Sequence, residues 1–133
     1  GTVGLLKKAT IPMSEPKDIY RPLTEWEQQI ILRLLQESPF AGRDDLLVQL
    51  EHVVGQPIDE DGSLSLKCSS ALKAVVKQRV PVEGEVPDMD GMVIHYLLHV
   101  VDGKMNELEV YKDDSSKVLR QAEPEDLKVM NFG

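Results

Sequence analysis

Cysteine occurs once in the chain, at Cys68, tryptophan once and phenylalanine twice. No run of apolar residues approaches the ~20 that a membrane-spanning helix needs, so no membrane association is expected. A single cysteine excludes an internal disulfide and is compatible with a reducing compartment, so the expected location is cytoplasmic. The opening GTVGLLKKATIP has too short an apolar stretch for a secretory signal. Basic residues are also few: 15 Lys and Arg stand against 23 Asp and Glu, a formal net charge of −8. They are scattered, forming neither a basic stripe nor a platform with aromatics between, which argues against a nucleic-acid partner. An acidic surface suits a soluble protein, or one that docks on something basic.

What is present is the composition of one ordinary globular domain. With 133 residues, 41% hydrophobic and 29% charged, the chain can bury roughly two thirds of its unfolded surface around a single core without disulfide or metal staples. Residues 1–21 carry prolines and glycines but no periodicity, and Met13-Ser14-Glu15 has the look of a native start. The segment 1–21 is therefore expected to be disordered or foreign to the protein, and 22–133 to form the domain.

Two helices come first. Thr24 can cap the first with Glu27 three residues on, and Trp26, Ile30, Ile31, Leu34 and Leu35 follow at helical spacing until Ser38-Pro39. Phe40-Ala41-Gly42 turns the chain, and Arg43-Asp44-Asp45 opens a second helix carrying Leu46, Leu47 and Leu50, its acidic residues favoured by the helix dipole. From Gly55 the period shortens. Residues 53–58 and 63–67 read as strands around the turn Asp59-Glu60-Asp61-Gly62, and residues 74–82 as a strand with one wet face. The acidic stretch 83–91 reads as a connection, 117–119 as a last short strand, and Pro124-Glu125-Asp126-Leu127 as one helical turn. The expected fold is α+β, two N-terminal helices on one face of an antiparallel meander of about five strands.

The strongest local signal is Asp90–Asp114, which reads as a long β-hairpin turning at Asp102-Gly103. Two registers compete. A two-residue turn would pair Val101 with Lys104 and set Leu98 against Glu107 and Tyr96 against Glu109. A three-residue loop with Gly103 left-handed would pair Val100 with Lys104, gathering Ile94, Tyr96 and Leu98 with Asn106, Leu108 and Val110 on one nearly apolar face. The other face would then hold Val93, His95, Leu97 and His99 with Met105, Glu107, Glu109 and Tyr111. A one-residue slip exchanges the faces of a strand, and burying glutamates costs several kcal/mol, so the second register is preferred. It sets His95 opposite Glu109.

Candidate site residues are His95, Glu107, Glu109 and Asp90. A carboxylate beside an imidazole raises its pKa and suits general-base work or metal ligation. The competing reading is a solvated cross-strand pair. His95 and His99 stand roughly 13 Å apart along a strand and cannot share one ion, so any metal would need ligands from elsewhere; no metal or cofactor is expected. Asp59–Gly62 and Asp88–Gly91 are fragments of a calcium-loop pattern without its sixth-position glycine and twelfth-position glutamate, and read as ordinary turns. No hydrolase, zinc-protease or phosphate-loop motif occurs, and Cys68 would need a histidine brought to it by the fold to act as a nucleophile.

Asp90-Gly91, Leu97-Leu98-His99-Val100, Asp102-Gly103-Lys104 and Glu107-Leu108-Glu109-Val110-Tyr111 carry a resemblance to a family of small bacterial proteins with a domain of unknown function. Phe40-Ala41-Gly42 and Gln49-Leu50 belong to it more loosely. The resemblance covers most of the chain after Pro22, and implies a bacterial origin but no activity, cofactor or binding residues. Two function classes follow from the residues. One is a non-enzymatic protein-binding module, self-associating through an exposed strand or acting as an acidic protector of a basic partner. The other is a small hydrolase or metal-dependent enzyme using the His95/Glu109 face.

Overall fold

The computed structural model describes residues 19–133; the N-terminal expectation lies outside them through position 18. The elements in chain order are β1 (Arg21–Pro22), α1 (Glu25–Gln36), α2 (Arg43–Gln49), β2 (Val53–Pro57), β3 (Leu64–Cys68), β4 (Val82–Pro87), β5 (Val93–Val101), β6 (Lys104–Lys112) and β7 (Lys128–Asn131). Short 3₁₀ turns occupy Leu50–His52 and Pro124–Asp126. The strands form one sheet in the order β1-β2-β3-β6-β5-β4-β7, antiparallel at each junction.

The α+β class holds, with seven strands rather than about five. The sheet is not a simple meander, because β6 returns to β3 and leaves β3 and β4 on opposite sides of the β5–β6 hairpin. β1 pairs through Arg21 with Gly55, and the Tyr20 hydroxyl meets the Ser65 hydroxyl at 2.7 Å, so order begins before the expected boundary at 22.

Local chemistry explains α1 well. The Thr24 hydroxyl accepts the Glu27 N–H at 3.1 Å while the Glu27 carboxylate accepts the Thr24 N–H at 2.9 Å, closing the capping box. Arg21 clamps the same carboxylate at 2.6 and 3.0 Å. Ile30, Ile31, Leu34 and Leu35 are fully buried against Val82, Val86, Ile94, Tyr96, Leu98, Leu108 and Val110 of the sheet. Each such side chain contributes roughly 1.5–3 kcal/mol. Trp26 packs edge-on to Tyr96, ring centres 6.4 Å apart, and its indole N–H donates to the Ala122 carbonyl at 2.7 Å.

Three strand expectations need correcting. Residues 74–81 are irregular: Ala74 and Val76 turn inward, but both flanks of β5 are already taken by β4 and β6, so the segment has no place in the sheet. The acidic stretch taken as a connection contains β4. Its Val82, Gly84 and Val86 face the helices and Glu83 and Glu85 face away, but Gly84 stands where an apolar side chain would have marked the alternation. A Cβ at Gly84 would lie 2.9 Å from Leu34 Cδ2, so helix packing accounts for the glycine. Residues 117–119 form no strand; the last strand is β7, along the outer edge of β4.

The central hairpin takes neither expected register in full. Val101 pairs with Lys104, and Asp102 and Gly103 have φ of 52° and 76°, both positive as a type I′ turn requires. The bulge lies deeper. Val100 pairs with Met105 and His99 with Glu107, leaving Asn106 as the extra residue. Beyond it Leu98 meets Leu108 and Tyr96 meets Val110, so the apolar sorting is the expected one apart from Met105, which is buried. The partners move by two, however, and His95 faces Tyr111 instead of Glu109.

Gln49, fully buried at the end of α2, holds this bulge. Its amide nitrogen donates to the carbonyls of Gly103 at 2.7 Å and Leu72 at 2.9 Å, and its amide oxygen accepts the Met105 N–H at 3.1 Å. Gln49→Leu would leave these buried groups without partners and should lower stability by about 2–4 kcal/mol, read from urea denaturation. Val48→Ala, next door at an exposed position, should change it by no more than about 0.5 kcal/mol.

Candidate functional site

The helices cover one face of the sheet and leave the other open, and the candidate groups sit on the open face. Residues of β4, β5 and β6 that alternate outward place Glu83 and Glu85 in one row, His95, Leu97 and His99 in the middle, and Glu107, Glu109 and Tyr111 in the third. Two imidazoles thus stand between two rows of carboxylates.

His95 is 9% exposed and meets carboxylates on both sides. Its Nδ1 lies 2.7 Å from Glu83 Oε2 and 3.6 Å from Glu85 Oε2, and its Nε2 lies 2.5 Å from Asp113 Oδ1. The ring stacks on Tyr111 at 4.8 Å between centres with 19° between planes. A carboxylate only accepts, so the two short bonds are both satisfied when each nitrogen carries a proton. Burial pushes the imidazole pKa down, but hydrogen bonds to Glu83 and Asp113 and their charges push it up by more, so the net displacement is above the ordinary histidine value. Burial also raises the Tyr111 hydroxyl, with Glu83, Glu109 and Asp113 adding to it.

His99 is arranged the other way round. Arg79 Nε–H donates to its Nδ1 at 2.9 Å, and its Nε2 meets Glu109 Oε1 at 2.8 Å. A guanidinium only donates, so Nδ1 is the acceptor and Nε2–H points at Glu109. Glu107 completes this second cluster, whose ligand atoms lie within 4.8 Å of one another, as do those of Glu83, Glu85 and His95.

The four residues singled out from sequence do not converge. Glu107 and Glu109 stand with His99, His95 stands with Glu83, Glu85 and Asp113, and Asp90 lies elsewhere, in a turn. There Lys112 Nζ, with no exposed side-chain surface, meets Asp88 at 3.0 Å and Asp90 at 2.7 Å. Asp88 also accepts the N–H groups of Met89 and Leu119. This triad ties the β4–β5 turn to the chain leaving β6, a structural duty. Within the turns Asp59–Gly62 and Asp88–Gly91, Asp59, Asp88 and Asp90 each also accept backbone N–H groups, as ordinary turns do. Cys68 Sγ points to the Gln49 carbonyl at 4.0 Å.

Glu83, Glu85 and Asp113 are the residues that sequence reasoning missed. The Val-Glu-Gly-Glu-Val-Pro alternation of 82–87 was the available signal for the first two. Two hollows among the described residues do not unite the candidates either. One of about 490 Å³ is lined by Lys73, Lys77, Arg79, Val100 and Gly103 at the hairpin tip. Another of about 270 Å³ takes in Glu107 and Glu109 without His95 or Asp90.

Residues 20–122 match the family Domain of unknown function (DUF6984), a span that contains each stretch on which the resemblance rested. No curated protein and no solved structure gives a significant match. Among the described residues no helix is long and apolar enough to cross a membrane.

The Lys112 triad sets an expected pH response. Burial raises the Asp88 carboxyl, but its backbone hydrogen bonds and Lys112 outweigh that and hold it below the ordinary aspartate value. Lys112 also holds Asp90 down, and is itself raised, first by the hydrogen bond to Asp90. The carboxyl contribution is therefore complete above about pH 4 and is lost as pH falls through the lowered values; that of Lys112 is complete below about pH 10 and is lost as pH rises through the raised value. Urea midpoints measured between about pH 2 and 7 should show a shallower acid limb in Lys112→Met than in the parent.

Proposed function

This chain belongs to the DUF6984 family, and we propose that it is a non-enzymatic binding module whose open, acidic sheet face docks a basic partner protein. The observation that carries the reading is the placement of Glu83, Glu85, Glu107, Glu109 and Asp113 on the uncovered side of β4–β6. The same side also carries the His95 imidazole, Arg79, Lys67 of β3, Lys104 at the hairpin tip and Lys128 of β7, so the negative charge is concentrated at the centre of the face, on β4–β6. Such a surface attracts a cationic protein and repels an anionic one. A catalytic reading loses its support, because His95, Glu107, Glu109 and Asp90 fall into three separate constellations.

The edges of the sheet weigh against strand-to-strand self-association. β1 is two residues long and contains Pro22, and β7 is four residues long and begins with Lys128. Short edges with proline or lysine are poor templates for strand addition. That leaves the acidic-protector form of the module as the better supported one.

The test is capture on the immobilised protein from a lysate of its source organism, with two charge-reversed variants run beside it. A basic partner recovered near stoichiometry should be lost by tenfold or more in affinity, roughly 1.4 kcal/mol or above, in Glu107→Lys/Glu109→Lys. The same reversal at Glu123 and Glu125, beside α1 on the helical side, should leave recovery unchanged. Equal recovery by both variants, or none by the parent, would remove the proposal.

A further inference from the structure

Two constellations on the open face share the residue types His, Glu and Glu, yet they differ in what stands behind the imidazole. At His99 it is a donor, Arg79 Nε–H, 2.9 Å from Nδ1. At His95 it is an acceptor, Asp113 Oδ1, 2.5 Å from Nε2. The difference decides which ring can offer a lone pair to a cation. A histidine that ligates a metal through one nitrogen carries its proton on the other, and a carboxylate behind the ring is the usual acceptor for it. Asp113 occupies that position. His99 would have to move its proton to Nδ1, against the N–H of Arg79.

We propose that His95 Nδ1, Glu83 and Glu85 form a binding site for one first-row divalent metal ion, with Asp113 orienting the imidazole from behind. β4 supplies what β5 alone could not. Glu85 is the direct cross-strand partner of His95, and Glu83 lies two residues along on the same face. Their oxygens lie 3.6 and 2.7 Å from Nδ1. Ligands bound at about 2.1 Å in tetrahedral array are roughly 3.4 Å apart, a spacing these two distances bracket. Admitting the ion asks Glu83 to withdraw from Nδ1 by under 1 Å, and the three ligand atoms already lie within 4.8 Å of one another. Stacking on Tyr111 fixes the plane of the ring.

Charge favours a divalent occupant. Three carboxylates, Glu83, Glu85 and Asp113, surround one imidazole. A protonated ring supplies one positive charge against them; a metal ion replacing the Nδ1 proton supplies two beside a neutral ring. One nitrogen with two carboxylate oxygens suits zinc or manganese better than calcium or magnesium, which favour all-oxygen shells. The face is open, so the remaining coordination positions are left to solvent.

The experiment is calorimetric titration of the metal-stripped full chain with zinc chloride, with far-UV circular dichroism confirming that each variant is folded. The parent should bind one ion per chain with a micromolar or tighter Kd. Glu83→Gln/Glu85→Gln should weaken binding at least a hundredfold, Asp113→Asn by about 10–100-fold, and Glu107→Gln/Glu109→Gln by less than twofold. Imidazole nitrogen NMR should show zinc perturbing His95 Nδ1 and leaving His99 as it was. Absence of binding by the parent, zinc reporting at His99, or binding that survives in the Glu83/Glu85 variant would each overturn the assignment. Because the titration uses the isolated chain, its outcome is independent of whether a basic partner docks.

Discussion

The register of the β5–β6 hairpin is the constraint from which the rest of the structure follows, and one buried amide holds it. A bulge in an antiparallel pair releases backbone groups from the ladder. Here the Met105 N–H goes to Gln49 Oε1, and the Val100 N–H goes to the Arg79 carbonyl at 2.7 Å. Placing Asn106 outside the ladder restores the alternation of β6, so that Met105 and Leu108 both point at the helices despite being three residues apart. Without that extra residue Glu107 and Glu109 would face the core, and the open face would lose its third row. Fold and candidate site thus rest on the same irregularity.

Much of the fold was legible because local signals agreed with one another. The capping box at Thr24, the apolar period through Leu35, the Asp59–Gly62 turn and the turn at Pro124 are each written in a few adjacent residues. The apolar sorting of the hairpin was legible too, since burying glutamates is costly. The location of the extra residue was not. A three-residue loop and a type I′ turn followed by a bulge sort the side chains alike, and the choice is made by Gln49, more than fifty residues away in sequence. β4 was hidden by its own composition, with two glutamates and a glycine among six residues. β1 and β7 are too short to leave a pattern and exist because neighbouring strands offer them an edge.

The open face was legible in kind and not in detail. That imidazoles and carboxylates would share one side of the hairpin could be read from alternation. Which carboxylate meets which ring depended on a shift of two residues, and on a strand that read as a connection. The result is two histidines, four residues apart on one strand, with opposite polarity behind their rings. Residue types alone could not have separated them, because the distinction lies in Asp113 and Arg79, which come from segments flanking the sheet.

The contact between Trp26 and Ala122 has a consequence for how this molecule can be watched. The indole N–H is tied to the carbonyl of the segment that follows β6, and the ring lies edge-on to Tyr96. As the lone tryptophan of the chain, it is a built-in optical gauge. Its emission will respond both to release of the chain around Ala122 and to loss of packing against Tyr96 of β5.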